Sequence, residues 1–170
     1  MLYLKEMNID DGYEEYMFFK KMAVDENYEN DYKKITYDDF MSKAVPERLN
    51  ASLGIGLQDG YVPDTYYFLW EDNKIIGLFR IRHYLNDFLK KGPGHIGYGI
   101  LPEHRNKGYA TKGLSLAIDK CKEILPENEK EIYMSCHINN KASLSVMIKN
   151  KAYIANEDTE NYYTRIKIYE

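Results

Sequence analysis

The chain is 170 residues long, with 44% hydrophobic residues, 29% charged residues and a formal charge of −4. That is the length of one domain, and the balance is that of a folded protein rather than a disordered one. No apolar run approaches the ~20 residues of a membrane span, residues 1–10 are too charged for a signal peptide, and the negative charge argues against a general binder of nucleic-acid backbones. Cys121 and Cys136 do not make a disulfide framework, so reduced thiols in the cytoplasm are the expectation.

Tyrosine is unusually abundant, at 17 residues against 6 Phe and 1 Trp. The net charge also hides an asymmetry. Residues 1–72 hold 16 acids and 7 bases, whereas residues 73–170 hold 11 acids and 16 bases. Either this reflects chance and a solvated face, or a basic half meets an anionic cofactor and an acidic half a cationic substrate.

In chain order, Leu2 to Ile9 reads as a strand, and Asp10 or Asp11 caps a helix running to about Asp25. Thr36 and Asp39 resemble a capping box, in a pattern that Pro46 interrupts. Residues 51–63 read as a loop. Thr65 to Trp70 and Ile75 to His83 form a hairpin turning at Asp72-Asn73. Residues 86–94 read as a polar loop and His95 to Leu101 as the next strand. Ala110, Leu114, Ala117, Ile118, Cys121 and Leu125 then share one face of a helix. Glu131 to His137 alternates as a strand, residues 140–150 form a short helix, and Tyr153 and Tyr162 to Tyr169 supply late strands. This order predicts a mixed α/β domain over 1–170, with a mostly antiparallel sheet and one strand–helix–strand crossover at 95–137.

Gly92-Pro93-Gly94-His95-Ile96-Gly97 matches G-x-G-x-x-G as a string. The dinucleotide fingerprint needs a strand before it and a helix opening on it, and here a loop leads into a strand, so the match is one of chance. The informative stretch is residues 100–111, where a strand ends, a polar turn follows and a helix opens on Gly108. The first turn of a helix offers unpaired N–H groups and the positive end of the dipole. Gly108 and Ala110 let an anion approach, and Arg105, Lys107 and Lys112 add charge. That suits a pyrophosphate, and equally describes a plain strand-to-helix turn.

Arg105-x-x-Gly108-x-Ala110, after a strand closed by Pro102 and before an amphipathic helix, resembles the acyl-CoA signature of the GNAT acetyltransferase superfamily. Asn140-Lys141-Ala142-Ser143, eleven residues before Lys151, resembles that family's second helix motif, and His95-Ile96-Gly97-Tyr98 resembles its Glu-Ile-Gly-Tyr strand. The resemblance covers about residues 66–157. It implies an acyl-CoA N-acyltransferase fold with a splayed fourth strand and helices on both faces. It also implies acetyl transfer from acetyl-CoA to an amine by direct attack in a ternary complex. Tyr98, Gly99 and Ile100 would line the pantetheine arm. Asn106, Lys107, Gly108, Tyr109, Ala110 and Thr111 would bind the pyrophosphate, with Arg105 beside them. Asn140 and Ser143 would contact the cofactor arm from the opposite side.

Two positions depart from the family pattern. Met147 stands where a tyrosine often protonates the leaving thiolate, and Lys151-Ala152 stands where Gly-Phe or Gly-Gly is usual. A thiol of pKa about 8.5 needs little acid help. An amine of pKa about 10.4 must lose a proton, and His95, where relatives carry glutamate, is the candidate base or water relay. Arg80, Arg82 and His83 stand near the expected acceptor entrance, as carboxylate-orienting groups or as a solvated face. Cys136-His137 has no second ligand pair at metal spacing, so no metal is expected.

The acceptor is expected to be a small amine or a protein amino group, with a cationic one favoured. A monomer or homodimer is expected, without nucleic-acid or membrane partners. An acyl-CoA-binding module without catalysis and a nucleotide-binding regulatory domain are the other two readings.

Overall fold

The computed structural model describes residues 1–22 and 28–169. Strand β1 (Leu2–Glu6) precedes helix α1 (Gly12–Lys21), α2 (Tyr37–Asp39), a π-helical turn (Phe40–Ala44) and α3 (Val45–Ser52). The hairpin β2 (Asp64–Glu71) and β3 (Lys74–Arg82) leads to α4 (Asp87–Lys91) and β4 (Ile96–Ile100). A 3-10 turn at Pro102–His104 precedes α5 (Tyr109–Ile124), β5 (Glu131–His137), α6 (Lys141–Lys149), β6 (Tyr153–Glu157) and β7 (Asn161–Lys167).

Two antiparallel sheets result, β1-β2-β3-β4 and β5-β7-β6. β2 is buried on both faces, so Thr65 to Trp70 reads as a continuous apolar run. Tyr67 and Leu69 pack on the α5 side with Phe79, Ile96, Leu114 and Cys121. Phe68 and Trp70 pack on the α1 side with Phe18, Phe19, Met22 and Phe40. Helices therefore cover both faces. The hairpin turn uses left-handed backbone at Asp72 (φ 47°) and Asn73 (φ 63°), as a two-residue β-turn requires.

The structure differs from the sequence reading in three places. Residues 86–94 contain α4, because Asn86 accepts a hydrogen bond from the Leu89 N–H (3.0 Å) and Leu89 buries itself against Val62 and Leu85. Pro46 does not end the helical path. It follows the π-helical turn Phe40–Ala44, and Ala44 and Val45 before it keep right-handed helical backbone. Helix α1 ends at Lys21, and Asp25 lies outside the described residues. The Thr36 cap forms as expected, its Oγ1 accepting from the Asp39 N–H.

The feature that positions the site is the parting of β4 from β5. They meet at their start, where a single isolated bridge joins Gly94 to Met134 and the His95 N–H donates to the Tyr133 carbonyl (2.6 Å). Gly94 (φ 69°) makes this approach possible, since a Cβ there would stand 2.1 Å from the Tyr133 oxygen. Beyond it the two strands share no ladder, and a wedge opens between the sheets.

Candidate active site

One cleft of about 700 Å³ fills this wedge and continues to the start of α5. Gly97, Tyr98, Gly99 and Ile100 form one wall and Asn140, Ala142, Ser143 and Met147 the other, with Gly108 to Thr111 at one end. The other end reaches Met22 and Tyr28, whose side chains occupy the space a Cβ on Gly99 would take.

The helix start is built to leave backbone donors open. Asn106 (φ 59°) and Gly108 (φ 81°) both take left-handed backbone, which turns the chain sharply into α5. The first helical bond runs from the Lys112 N–H to the Gly108 carbonyl (3.1 Å), so the N–H groups of Gly108, Tyr109, Ala110 and Thr111 have no partner within the helix. The N-cap, Gly108, has no side chain to cap them, and a Cβ there would meet nothing within 4 Å. Arg105 folds back, its Nε donating to the Ile100 carbonyl (3.0 Å). Lys107 belongs to the turn but lies off the cleft wall, its Nζ donating to the Glu103 carbonyl (2.8 Å).

The open edge of β4 follows from its register. The Arg82 N–H donates to the His95 carbonyl and the Leu101 N–H to the Ile76 carbonyl. Odd-numbered residues of β4 therefore bond β3, and the N–H and C=O groups of Ile96 and Tyr98 face the wedge. On the opposite wall Asn140 caps α6, its Oδ1 accepting from the Ser143 N–H (3.1 Å). Asn150, at the far end of α6, donates to the Thr111 carbonyl (3.1 Å) and ties α6 to the first turn of α5.

Tyr98 crosses the wedge. Its ring stacks on Phe79 with centroids 5.3 Å apart, and its hydroxyl lies 2.8 Å from Ser143 Oγ. Burial pushes its pKa up to about 12, against the Ser143 hydrogen bond that lowers it. Met147 is 1% exposed, and its sulfur accepts from the Thr164 hydroxyl (3.2 Å). Cys136 also reaches the cleft, and burial pushes its thiol pKa up, so it is held protonated.

His95 stands apart from these residues. It is 0% exposed and does not line the cleft. Its Nδ1 accepts from the Tyr133 N–H (2.9 Å), so in the neutral ring the proton sits on Nε2, which has no hydrogen-bond partner among the described residues. Burial, with the charges of Arg82 and Arg165, lowers its pKa to about 4. As placed, neither nitrogen has a lone pair free for an incoming proton.

The sequence reading missed several cleft residues. Met22 and Tyr28 come from the N-terminal third, and Ser135, His137 and Lys149 from β5 and α6. His137 alone carried a signal, as the exposed member of the alternating Glu131–His137 strand. Among the described residues, no three His, Cys, Asp or Glu side chains gather as a metal site. No described helix is long and apolar enough to cross a membrane.

A family profile described as an acetyltransferase (GNAT) domain matches residues 2–152, and the chain belongs to that family. Solved structures agree on the fold. A GNAT-family acetyltransferase from Streptococcus pneumoniae is 15% identical, with a TM-score of 0.67 over 98% of this chain and 99% of that one. A ribosomal-protein-S5-alanine acetyltransferase from Vibrio fischeri is 13% identical, with a TM-score of 0.69 over 98% and 92%. The Campylobacter jejuni N-acetyltransferase PseH, solved with acetyl coenzyme A, is 18% identical, with a TM-score of 0.63 over 98% and 99%. No curated protein matches the chain by sequence.

Proposed function

We propose that this chain transfers an acetyl group from acetyl-CoA to a primary amine by direct attack in a ternary complex. One observation carries the reading: the open first turn of α5 and the open edge of β4 face a single cleft. When bound, acetyl-CoA supplies an activated thioester, and the residues suit it. Four free N–H groups and a helix dipole match a pyrophosphate. Gly108 leaves room that a Cβ would fill. The wedge-facing N–H and C=O groups of Ile96 and Tyr98 suit an arm that carries amides.

The Tyr98 hydroxyl, held at Ser143, is the proton donor to the departing sulfur in this reading. With its pKa at about 12 it stays protonated through the neutral range. Cys136 is held as a thiol, which favours direct transfer over an acyl-enzyme on sulfur. His95 is left out of the proton path, and the amine's proton leaves to water above Gly97, which is exposed.

An acyl-CoA-binding module without catalysis is the second reading, favoured by Met147. Acetyl-CoA at about 100 times Kd should stabilise the protein by about 2.7 kcal/mol. No thermal shift with either CoA or acetyl-CoA would overturn both readings. Amine-dependent thiol release then separates enzyme from module.

A further inference from the structure

The α1-facing side of the sheet carries a cluster of arginines next to the cleft. Asp64 is 2% exposed and is paired with both Arg48 and Arg80. The Arg48 guanidinium lies 4.2 Å from the Tyr66 ring centroid, and its Nε is buried without a hydrogen-bond partner among the described residues. Arg82 donates to the Gly94 carbonyl (2.9 Å) and has no carboxylate partner among the described residues. Burial and the charges of Arg80 and Arg48 lower its pKa, and among the described residues Asp64 is the one carboxylate paired with these guanidiniums. Asp31 and Glu47 are exposed at the rim, near Tyr28 and Tyr32.

The register ties this cluster to the cleft. Tyr66, Arg80 and Gly97 form one row across β2, β3 and β4, and Gly97 lines the cleft with open space above it. Neighbouring strands lie ~4.8 Å apart and residues two apart on a strand ~6.6 Å. A molecule whose amine sits over Gly97 thus has Arg80 and Arg82 within roughly 5–10 Å. A half-buried excess of cationic charge is costly without an anion to meet it. Among the described residues, the acidic balance of residues 1–72 is not repeated on this wall.

We infer that the acceptor amine carries an anionic group, a carboxylate or a phosphate, received by Arg82 with Arg80. This rests on the acetyl-transfer reading. A charge-assisted hydrogen bond to arginine discriminates strongly against a neutral isostere.

The test uses matched acceptors with the full chain and acetyl-CoA: γ-aminobutyrate against its amide, phosphoethanolamine against ethanolamine, and putrescine as the cationic arm. The expected result is kcat/KM at least about tenfold higher for the carboxylate or the phosphate than for its neutral partner. The pair showing the larger ratio identifies the anion. Arg82→Gln should bring that ratio near 1, whereas Arg82→Lys should keep it. A purely structural Arg82 would lower both members of a pair and leave the ratio intact. Equal rates within both pairs, or a preference for putrescine, overturns the inference. Thermal shift with the same compounds reads the subsite without turnover. Arg82-dependent stabilisation by the anionic members, with no thiol release from any amine, keeps the anion subsite and overturns acetyl transfer. No preference in either readout overturns the subsite.

Discussion

The phenol oxygen of Tyr98 lies 2.8 Å from Ser143 Oγ, so a hydroxyl pair joins β4 to α6 across the cleft. Ser143 is one helical turn before Met147, the position at which this family often carries a proton-donating tyrosine. The chain thus keeps a phenol in the wedge but brings it from the strand instead of the helix. Tyr98→Phe preserves the ring stack on Phe79 and removes only the hydroxyl. We expect kcat for acetyl transfer to fall about tenfold or more, with KM for acetyl-CoA nearly unchanged. Because the Tyr98 pKa is about 12, wild-type kcat should show no loss of a required acid up to pH 10. Steady-state kinetics from pH 6 to 10 checks both, and a kcat within twofold of wild type assigns Tyr98 to packing alone.

Gly108 takes left-handed backbone at φ 81°, and a Cβ there would enter open cleft space. Gly108→Val should cost about 1–2 kcal/mol of stability through backbone strain. It should cost more in binding, with acetyl-CoA affinity reduced tenfold or more, because the side chain stands where an anion would approach the helix N–H groups. Calorimetric titration beside a thermal melt separates the two effects. Equal affinity would show that this helix start does not hold the phosphates.

Glu15 is fully buried on α1. One oxygen accepts from the Asn8 N–H (2.9 Å) and the other has no partner among the described residues. Burial raises its pKa from 4.5 to about 8, so the folded state holds a proton that the unfolded chain releases. This contribution to stability is whole below pH 4.5 and is lost as pH rises toward 8. Glu15→Gln should therefore raise stability at pH 8 by roughly 2 kcal/mol or more and change it little at pH 4. Urea denaturation at the two pH values measures the difference. An equal effect at both would place the cause outside ionisation.

His95 acts in the opposite direction. Its folded pKa is lowered from 6.5 to about 4 by burial and by Arg82 and Arg165. The unfolded chain then binds the extra proton, and stability falls as pH drops from 6.5 toward 4, by up to about 3 kcal/mol. His95→Gln keeps an acceptor for the Tyr133 N–H and has no charge to gain. Its stability should be flatter over that window, as denaturation midpoints would show. An unchanged slope would mean that the ring is not buried as described.

Much of the cleft was legible because its parts are local. Arg105-x-x-Gly108-x-Ala110 lies within six consecutive residues, and the apolar face from Leu114 to Cys121 repeats over two turns of one helix. Asn140 and Ser143 are a cap and its partner three residues apart. What escaped depends on residues far apart in the chain. His95 reads as an accessible histidine at a strand start, and its burial comes from Tyr133, brought close only because Gly94 has no side chain. The Arg48–Asp64–Arg80 cluster joins a helix to two strands, and no spacing rule links those positions. The five-residue α4 is too short for a helical period to show. The tyrosines divide in the same way. Tyr98 and Tyr109 line the cleft from the segments that the motifs marked, while Tyr28 reaches it from the N-terminal third, where no spacing pointed to it.

The central claim is that this cleft catalyses acetyl transfer rather than merely holding an acyl-CoA. Its most direct measurement is thiol release from acetyl-CoA, followed with and without a panel of primary amines. The account predicts release that depends on the amine and yields one N-acetylated product per thiol. Thiol release that stays at the amine-free rate across the panel, in protein that acetyl-CoA stabilises, would contradict it.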